Sequence, residues 1–291
     1  MFPVLDVSSW PIDVVEPGGS NEPIWLRDGV SDRRMFKQVV MRDGRRQGED
    51  WAEKIAAELA HLVGVPAPGV ELAIRDGHPG CICDDLVPGA DWEMQTGSVL
   101  IGAIDPAFVP KAKNRVGHNL INIEAILRPL PPLPGLDPEL SSSYDVFCGY
   151  LMLDAWIANA DRHDANWSVY RNPGDELFLS PSYDHGNSLG FNLIDDRRQT
   201  ELSRGIASWA AKGCAIRFEN SRKVTLVELT QQALSRTTAG VRDYWMSRLG
   251  EVTVGQWEQI VGLTPGMSPA ARIFCTELLK TNQRRLLTHD Y

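Results

Sequence analysis

The stretch DRHDAN at residues 161–166, followed by DHG at residues 184–186, decides the fold of this chain. It places Asp161 five residues before Asn166 and adds Asp184 at the end of an apolar run. Phosphoryl transfer needs such groups: one carboxylate meets the acceptor hydroxyl, while an amide oxygen and a second carboxylate hold the magnesium that bridges the ATP phosphates. Asp and Asn are common in loops, so each motif alone is weak. The ordered pair predicts a nucleotide–metal site.

Composition indicates an ordinary globular protein. Of its 291 residues, 43% are hydrophobic and 23% are charged. A net charge of −9 without a basic run argues against direct nucleic-acid binding. Five cysteines without a C-x-x-C pair argue against a disulfide framework or a zinc site and favour a reducing cytoplasm. Neither a secretion signal nor a membrane-spanning run is recognisable, so we expect a cytoplasmic protein with no membrane association.

The first 88 residues have the pattern of a small β-rich lobe that contains one helix. Apolar side chains recur on one stripe of residues 48–63, and Gly64 and Pro66 end the helix that this stripe predicts. Short β-type segments surround the helix at residues 24–26, 36–41, 70–74 and 80–87.

The pattern becomes mainly helical after Pro88 and Gly89. Val146, Tyr150 and Leu153 mark a buried helix that leads directly to Asp161. We therefore predict an N-lobe over residues 1–88 and a larger, mostly helical C-lobe over residues 89–291. The motif loops lie near the junction, and a cleft between lobes is a usual place for a nucleotide.

These residues carry a family resemblance. The two motif loops resemble those of HipA-type bacterial serine/threonine kinases, the kinase toxins of toxin–antitoxin pairs, and are also similar to those of phosphoinositide kinases. Phe36-Lys37 on a strand, EDWAEK at residues 49–54 and PSYDHG at residues 181–186 fit the HipA-type group. The resemblance runs from about residue 18 to at least residue 225, and the chain resembles the compact, single-module members. It implies a two-lobed, protein-kinase-like α+β fold and transfer of phosphate from Mg²⁺–ATP to a serine or threonine of a protein.

The resemblance also assigns roles around the motif loops. Asp161 would be the catalytic base, or would orient the acceptor hydroxyl, and His163 would bond a phosphate or brace the loop. Asn166 and Asp184 would hold Mg²⁺, since hard cations prefer oxygen ligands. Lys37 would hold the ATP phosphates.

A glutamate of the helix after Lys37 would hold the lysine in place. The family pattern points to Glu53. Glu58 is a rival on periodicity alone, because it interrupts the apolar stripe between Ile55 and Leu62.

Two further segments would bind the nucleotide. Gly18, Gly19 and Ser20 would form a flexible loop over the phosphates, where missing side chains let backbone N–H groups approach. Ser20 is also the candidate for the self-phosphorylation that silences some relatives. The backbone of Asp84, Asp85 and Leu86 would meet the adenine.

Two other functions remain open. The order Asp-Arg-His is shared with phosphoinositide kinases, which makes a lipid or small-molecule kinase an alternative. A pseudokinase that binds nucleotide or a partner without turnover is the alternative from another class. The resemblance suggests a translation-related protein substrate and a possible antitoxin partner.

Overall fold

Short segments of the N-terminal part form one six-stranded sheet and a small hairpin. In chain order the strands are β1 (Val4–Asp6), β2 (Ile12–Val15), β3 (Ile24–Arg27), β4 (Arg33–Gln38), β5 (Met41–Arg42), β6 (Arg45–Arg46), β7 (Val70–Arg75) and β8 (His78–Asp84). The sheet order is β1-β7-β8-β4-β3-β2, with only the β1–β7 pair parallel, and β5 pairs with β6. The computed structural model describes residues 1–15, 23–29, 33–110, 112, 115–219, 221 and 223–288.

The helix α1 (Glu49–Val63) packs against β7 and β8 of this sheet. Its apolar stripe, Trp51, Ile55 and Leu59, is buried. Gly64 ends the helix in the left-handed conformation, at φ 81°, where glycine has no steric penalty. Because the apolar stripe must be buried, its position on α1 determines which polar side chains of the helix face the sheet.

The C-terminal part contains a three-stranded sheet and most of the helices. Its elements are β9 (Glu93–Thr96), α2 (Gly97–Ile104), α3 (Leu120–Leu127), α4 (Ser143–Ile157), β10 (Ser168–Arg171), β11 (Leu177–Leu179), α5 (Asp195–Arg204), α6 (Ala207–Ala210), α7 (Leu226–Leu234), α8 (Ala239–Gly250), α9 (Val254–Leu263) and α10 (Pro269–Thr288). The sheet order is β11-β10-β9, and both pairs are antiparallel. No helix within the described ranges is long and apolar enough to span a membrane.

The core of the C-lobe is built around α4, which is buried along its whole length. Its first turn is fixed by a capping box between Ser142 and Asp145. At its other end Ala158 adopts a left-handed conformation, at φ 56°, and directs the chain out of the core into residues 159–166. The buried helix α4 therefore positions the start of the first motif loop.

The two-lobed α+β fold predicted from the sequence is confirmed. Two predicted strands have different ends. The segment at 36–41 is interrupted, since β4 ends at Gln38 and β5 turns back to pair with β6. The segment at 80–87 ends at Asp84, because the Asp85 carboxylate accepts a hydrogen bond from the N–H of Val87 (3.0 Å) and closes a turn. The five cysteines carry free thiols, as their spacing predicts.

Candidate functional site

Lys37 lies where the sheet, α1 and the second motif loop meet. It sits on β4, paired with Cys81 of β8. Its Nζ is 3.0 Å from Oδ1 of Asp184 and 3.6 Å from Oε2 of Glu53. Burial alone would lower the pKa of Lys37, but these two carboxylates raise it well above its usual value. The site therefore holds a permanently charged ammonium group.

Glu53 joins this ammonium group to the second motif loop. One carboxylate oxygen accepts the N–H of His185 and the other accepts the N–H of Gly186, both at 2.9 Å. Burial alone would raise the pKa of Glu53, but Lys37 and the His185 contacts hold it well below its usual value. Glu58 instead accepts from Nζ of Lys54 (2.8 Å) and is one-third exposed. Of the two candidates, Glu53 is the one that lies against Lys37.

The backbone of the second motif loop suits this arrangement. Asp184 adopts a left-handed conformation, at φ 63°, which Asp tolerates better than most residues. Gly186 lies so close to α1 that a Cβ there would be 3.2 Å from Oε2 of Glu53 and 3.2 Å from the carbonyl oxygen of Glu49. The glycine thus lets the loop N–H groups reach the Glu53 carboxylate.

Arg162 organises the first motif loop, although no role was predicted for it beyond its place in the motif. It is buried and binds Asp154 of α4 through Nε and Nη2, both at 2.8 Å. It also donates to the carbonyl oxygen of Asn166 (2.7 Å) and to Oγ of Ser182 (2.9 Å). The sequence feature that could have indicated this role is Asp154, an acidic residue near the end of the apolar part of α4. A buried charge needs a partner, and Arg162 is the nearby residue that can supply it.

The same loop places Asp161 and Asn166 side by side. The N–H of Asp161 donates to Oδ1 of Asn159 (3.0 Å), and Nδ2 of Asn166 donates to the carbonyl oxygen of Asp161 (2.9 Å). The Asp161 carboxylate accepts Nδ2 of Asn187 (2.6 Å) and Nε of Arg217 (2.6 Å). Asn187 and Arg217 were not singled out from the sequence.

His163 braces the loop from within. Its Nδ1 accepts the N–H of Ala165 at 3.1 Å, which places the ring proton on Nε2 when the imidazole is neutral. Burial lowers the pKa of His163, against the opposing effect of the neighbouring Asp161 and Asp164. The neutral ring is therefore favoured.

Asn166 and Asp184 fit a hard divalent cation. Because Nδ2 of Asn166 is committed to the Asp161 backbone, its amide oxygen remains the acceptor end. Asp184 contributes a carboxylate that is 42% exposed. The loops that carry them are joined by a hydrogen bond from the Tyr183 hydroxyl to the carbonyl oxygen of Ala165 (2.8 Å). Oxygen donors of this kind suit Mg²⁺, and the described residues contain no group of three His, Cys, Asp or Glu side chains arranged for another metal.

A cleft of about 390 Å³ opens beside Lys37 and Asp184. Asp84, Asp85 and Leu86 line its rim. Both aspartates are paired with β4, Asp84 with Arg34 and Asp85 with Arg33, each at 2.7 Å. The N–H of Asp84 donates to the carbonyl oxygen of Gly69 (2.9 Å), which fixes this rim beside the cleft.

Other predicted site residues are divided between the described and undescribed parts of the chain. The carbonyl oxygen of Leu86 accepts the Tyr170 hydroxyl, which ties the rim of the cleft to the C-lobe sheet. Gly18, Gly19 and Ser20 lie outside the described residues.

Comparisons with known proteins identify the fold. No protein-family model matches the sequence, and no curated protein matches it. The proinflammatory kinase CtkA of Helicobacter pylori superposes with a TM-score of 0.75 and 18% identity, over 98% of this chain and 96% of CtkA. HipA of Shewanella oneidensis MR-1, solved in a toxin–antitoxin complex with HipB and operator DNA, superposes with a TM-score of 0.59 and 10% identity, over 94% of this chain and 67% of HipA. The chain thus has the fold of CtkA and HipA, and the likeness to HipA-type kinases is confirmed at the level of the fold.

Proposed function

We propose that this chain is an ATP- and Mg²⁺-dependent kinase that phosphorylates a serine or threonine of a protein. The observation that carries the proposal is the position of Lys37 between Glu53 and Asp184, at distances of 3.6 and 3.0 Å, in a cleft between the lobes. Titratable groups with shifted pKa values that line a cleft of this size are candidates for a binding or catalytic site. The fold shared with CtkA and HipA supports the same assignment.

The residues would divide the work of phosphoryl transfer. Lys37, fixed by Glu53, would hold the ATP phosphates, and Asn166 and Asp184 would hold Mg²⁺, which supplies positive charge that offsets the charge of the phosphates. The rim at residues 84–86 would receive the adenine through its backbone. Gly18, Gly19 and Ser20 would form the loop over the ATP phosphates.

Asp161 would align the acceptor hydroxyl with the γ-phosphorus. In the reaction the acceptor oxygen–phosphorus bond forms, the bond from phosphorus to the ADP oxygen breaks, and the hydroxyl proton passes through the Asp161 carboxylate to solvent. Catalysis would come mainly from positioning and charge stabilisation. His163 would keep the loop in the conformation that presents Asp161.

The partners of the proposed kinase follow from the likeness to HipA. The HipA structure contains HipB, which supports a search for an antitoxin that binds this chain. A translation-related protein remains the first substrate class to test, and the division into lobes at residues 1–88 and 89–291 stays part of the proposal.

A labelling experiment tests the proposal. Purified protein is incubated with γ-³²P-ATP and Mg²⁺, alone and with cell lysate, beside the Asp161→Asn variant and the control Asp196→Asn, which changes an exposed carboxylate on α5. We expect phosphoserine or phosphothreonine on a protein, lost in Asp161→Asn and kept in the control. Label in the lipid fraction would favour a lipid kinase. ATP-induced thermal stabilisation without any transfer would favour a pseudokinase, since binding alone stabilises the native state.

A further inference from the structure

Arg217 is joined to the Asp161 carboxylate across 56 residues of sequence. Its Nε and Nη2 lie 2.6 and 2.5 Å from Oδ1 of Asp161. Nδ2 of Asn187 donates to the other oxygen, Oδ2, at 2.6 Å. Both carboxylate oxygens of the proposed acceptor-aligning residue are therefore held by donors from other segments of the chain.

The segment that carries Arg217 is itself fixed. Nδ1 of His118 donates to the carbonyl oxygen of Arg217 (2.7 Å), while Nε2 of His118 accepts Nε1–H of Trp167 (3.2 Å). Burial lowers the pKa of His118 to about 4, so the ring is neutral at physiological pH and serves as donor and acceptor at once. The ring of Phe218 packs on His118, with 4.5 Å between centroids.

The next residue strengthens the attachment. The N–H of Glu219 donates to the carbonyl oxygen of His118 (2.8 Å). Its carboxylate accepts the N–H of Gly117 (3.1 Å) and Nδ2 of Asn119 (2.7 Å). The backbone of residues 217–219 is thus bonded to residues 117–119, which are not part of either motif loop.

The number of hydrogen bonds that a carboxylate can accept shows how much of the Asp161 side chain this arrangement leaves for a substrate. Each carboxylate oxygen accepts about two hydrogen bonds. Oδ1 receives a hydrogen bond from Nε of Arg217 and an ion-pair contact from its Nη2, and Oδ2 receives one hydrogen bond from Asn187. One acceptor position on Oδ2 is left for the hydroxyl of an incoming substrate.

We propose that Arg217 is a positioning residue that occupies Oδ1 of Asp161 through a hydrogen bond and an ion pair, and so directs Oδ2 to the acceptor hydroxyl. This inference rests on the proposed kinase function and assigns a residue that the motif loops do not contain. Asp161 then acts as an oriented hydrogen-bond acceptor, and Arg217 acts through it without touching the nucleotide.

Kinetic variants of Arg217 and Asp161 test the inference. ADP release from Mg²⁺–ATP is measured for wild type, Arg217→Ala, Arg217→Lys, Asp161→Asn and the double variant. Arg236→Ala is the control, because Arg236 is similarly exposed (39% against 33%) and pairs with Glu124, away from the site. Thermal melts verify that each variant is folded.

We expect Arg217→Ala to lower kcat by about a hundredfold, the scale of a misplaced reacting group. The KM for ATP should stay unchanged, and Arg217→Lys and added guanidinium at a non-denaturing concentration should restore part of the rate. Since Arg217 acts through Asp161, the double variant should be no slower than Asp161→Asn. The Arg236→Ala control should keep the wild-type rate.

Two outcomes would overturn the inference. If Arg217→Ala has the same kcat as wild type, Arg217 does not position Asp161 for catalysis. Additive losses in the double variant would mean that Arg217 acts on the phosphates directly. If wild type releases no ADP, or if Asp161→Asn is fully active, the proposed function fails with it, whereas failure of the Arg217 variants alone leaves that function intact.

Discussion

Replacing Glu53 by glutamine should lower the free energy of unfolding by about 1–4 kcal/mol at pH 7. The carboxylate accepts the N–H groups of His185 and Gly186, and glutamine offers one oxygen for the two. A buried donor left without an acceptor costs about 1–3 kcal/mol. Loss of the contact with Lys37 adds up to about 1 kcal/mol, a small value because the lysine is 27% exposed and screened by solvent.

Urea unfolding of wild type, Glu53→Gln and Glu58→Gln measures this difference. Glu58 is the matched control, because it lies on the same helix and also binds a lysine. It is one-third exposed, and Lys54 keeps Glu71 and the carbonyl oxygen of Val70, so its replacement should cost less than about 1 kcal/mol. A Glu53→Gln variant within about 0.5 kcal/mol of wild type, the usual size of a surface substitution, would refute the reasoning.

The Glu53→Gln substitution should also change how the free energy of unfolding depends on pH in the acidic range. The pKa of Glu53 in the folded protein is held below its ordinary value of 4.5. Its stabilising effect is therefore complete above pH 4.5 and is lost as the pH falls through the folded-state pKa. The stability difference between wild type and Glu53→Gln should shrink below pH 4.5, and a difference that stays constant into acid would contradict the assigned pKa direction.

Other predictions concern single contacts. Replacing Arg162 by methionine removes the cation that pairs with Asp154 in the core and leaves only the side-chain amide of Asn159 as its side-chain partner within the described residues, so the free energy of unfolding should fall by about 3–5 kcal/mol, and an unchanged urea midpoint would be inconsistent with the buried pair. Replacing Gly186 by alanine pushes a methyl group against Glu53, which should cost about 1–3 kcal/mol and weaken Mg²⁺–ATP binding in calorimetry. An NMR titration should find His118 protonated only near pH 4; titration near its ordinary value of 6.5 would disprove its burial.

Local sequence patterns predicted the parts of the fold that depend on neighbouring residues. The stripe through Trp51, Ile55 and Leu59 predicted α1 to within a residue at its start, because helix amphipathicity repeats within a few turns. The apolar run that forms α4 likewise predicted a buried helix before Asp161. Strands β1, β2 and β9 were not predicted, since strands of three or four residues depend on pairing with distant segments.

The same limit applies to the candidate site. Asp161 and Asn166 could be selected from motif spacing and Lys37 from the family resemblance, but the partners that orient Asp161 come from distant segments. Nothing in the sequence connects Arg217 to a loop 56 residues earlier. The choice between Glu53 and Glu58 also needed the structure, because the family pattern pointed to Glu53 and the periodicity to Glu58, and only packing decides which one lies against Lys37.

The most direct test of a phosphoryl-transfer site in these two loops is to measure transfer and binding together in the Asp161→Asn variant. Calorimetry gives the affinity for Mg²⁺–ATP, and γ-³²P label gives the transfer rate in the same preparation. We expect near-wild-type affinity with a transfer rate lower by about a hundredfold or more, as for loss of a group that handles the acceptor proton. Transfer by Asp161→Asn at the wild-type rate would contradict the account.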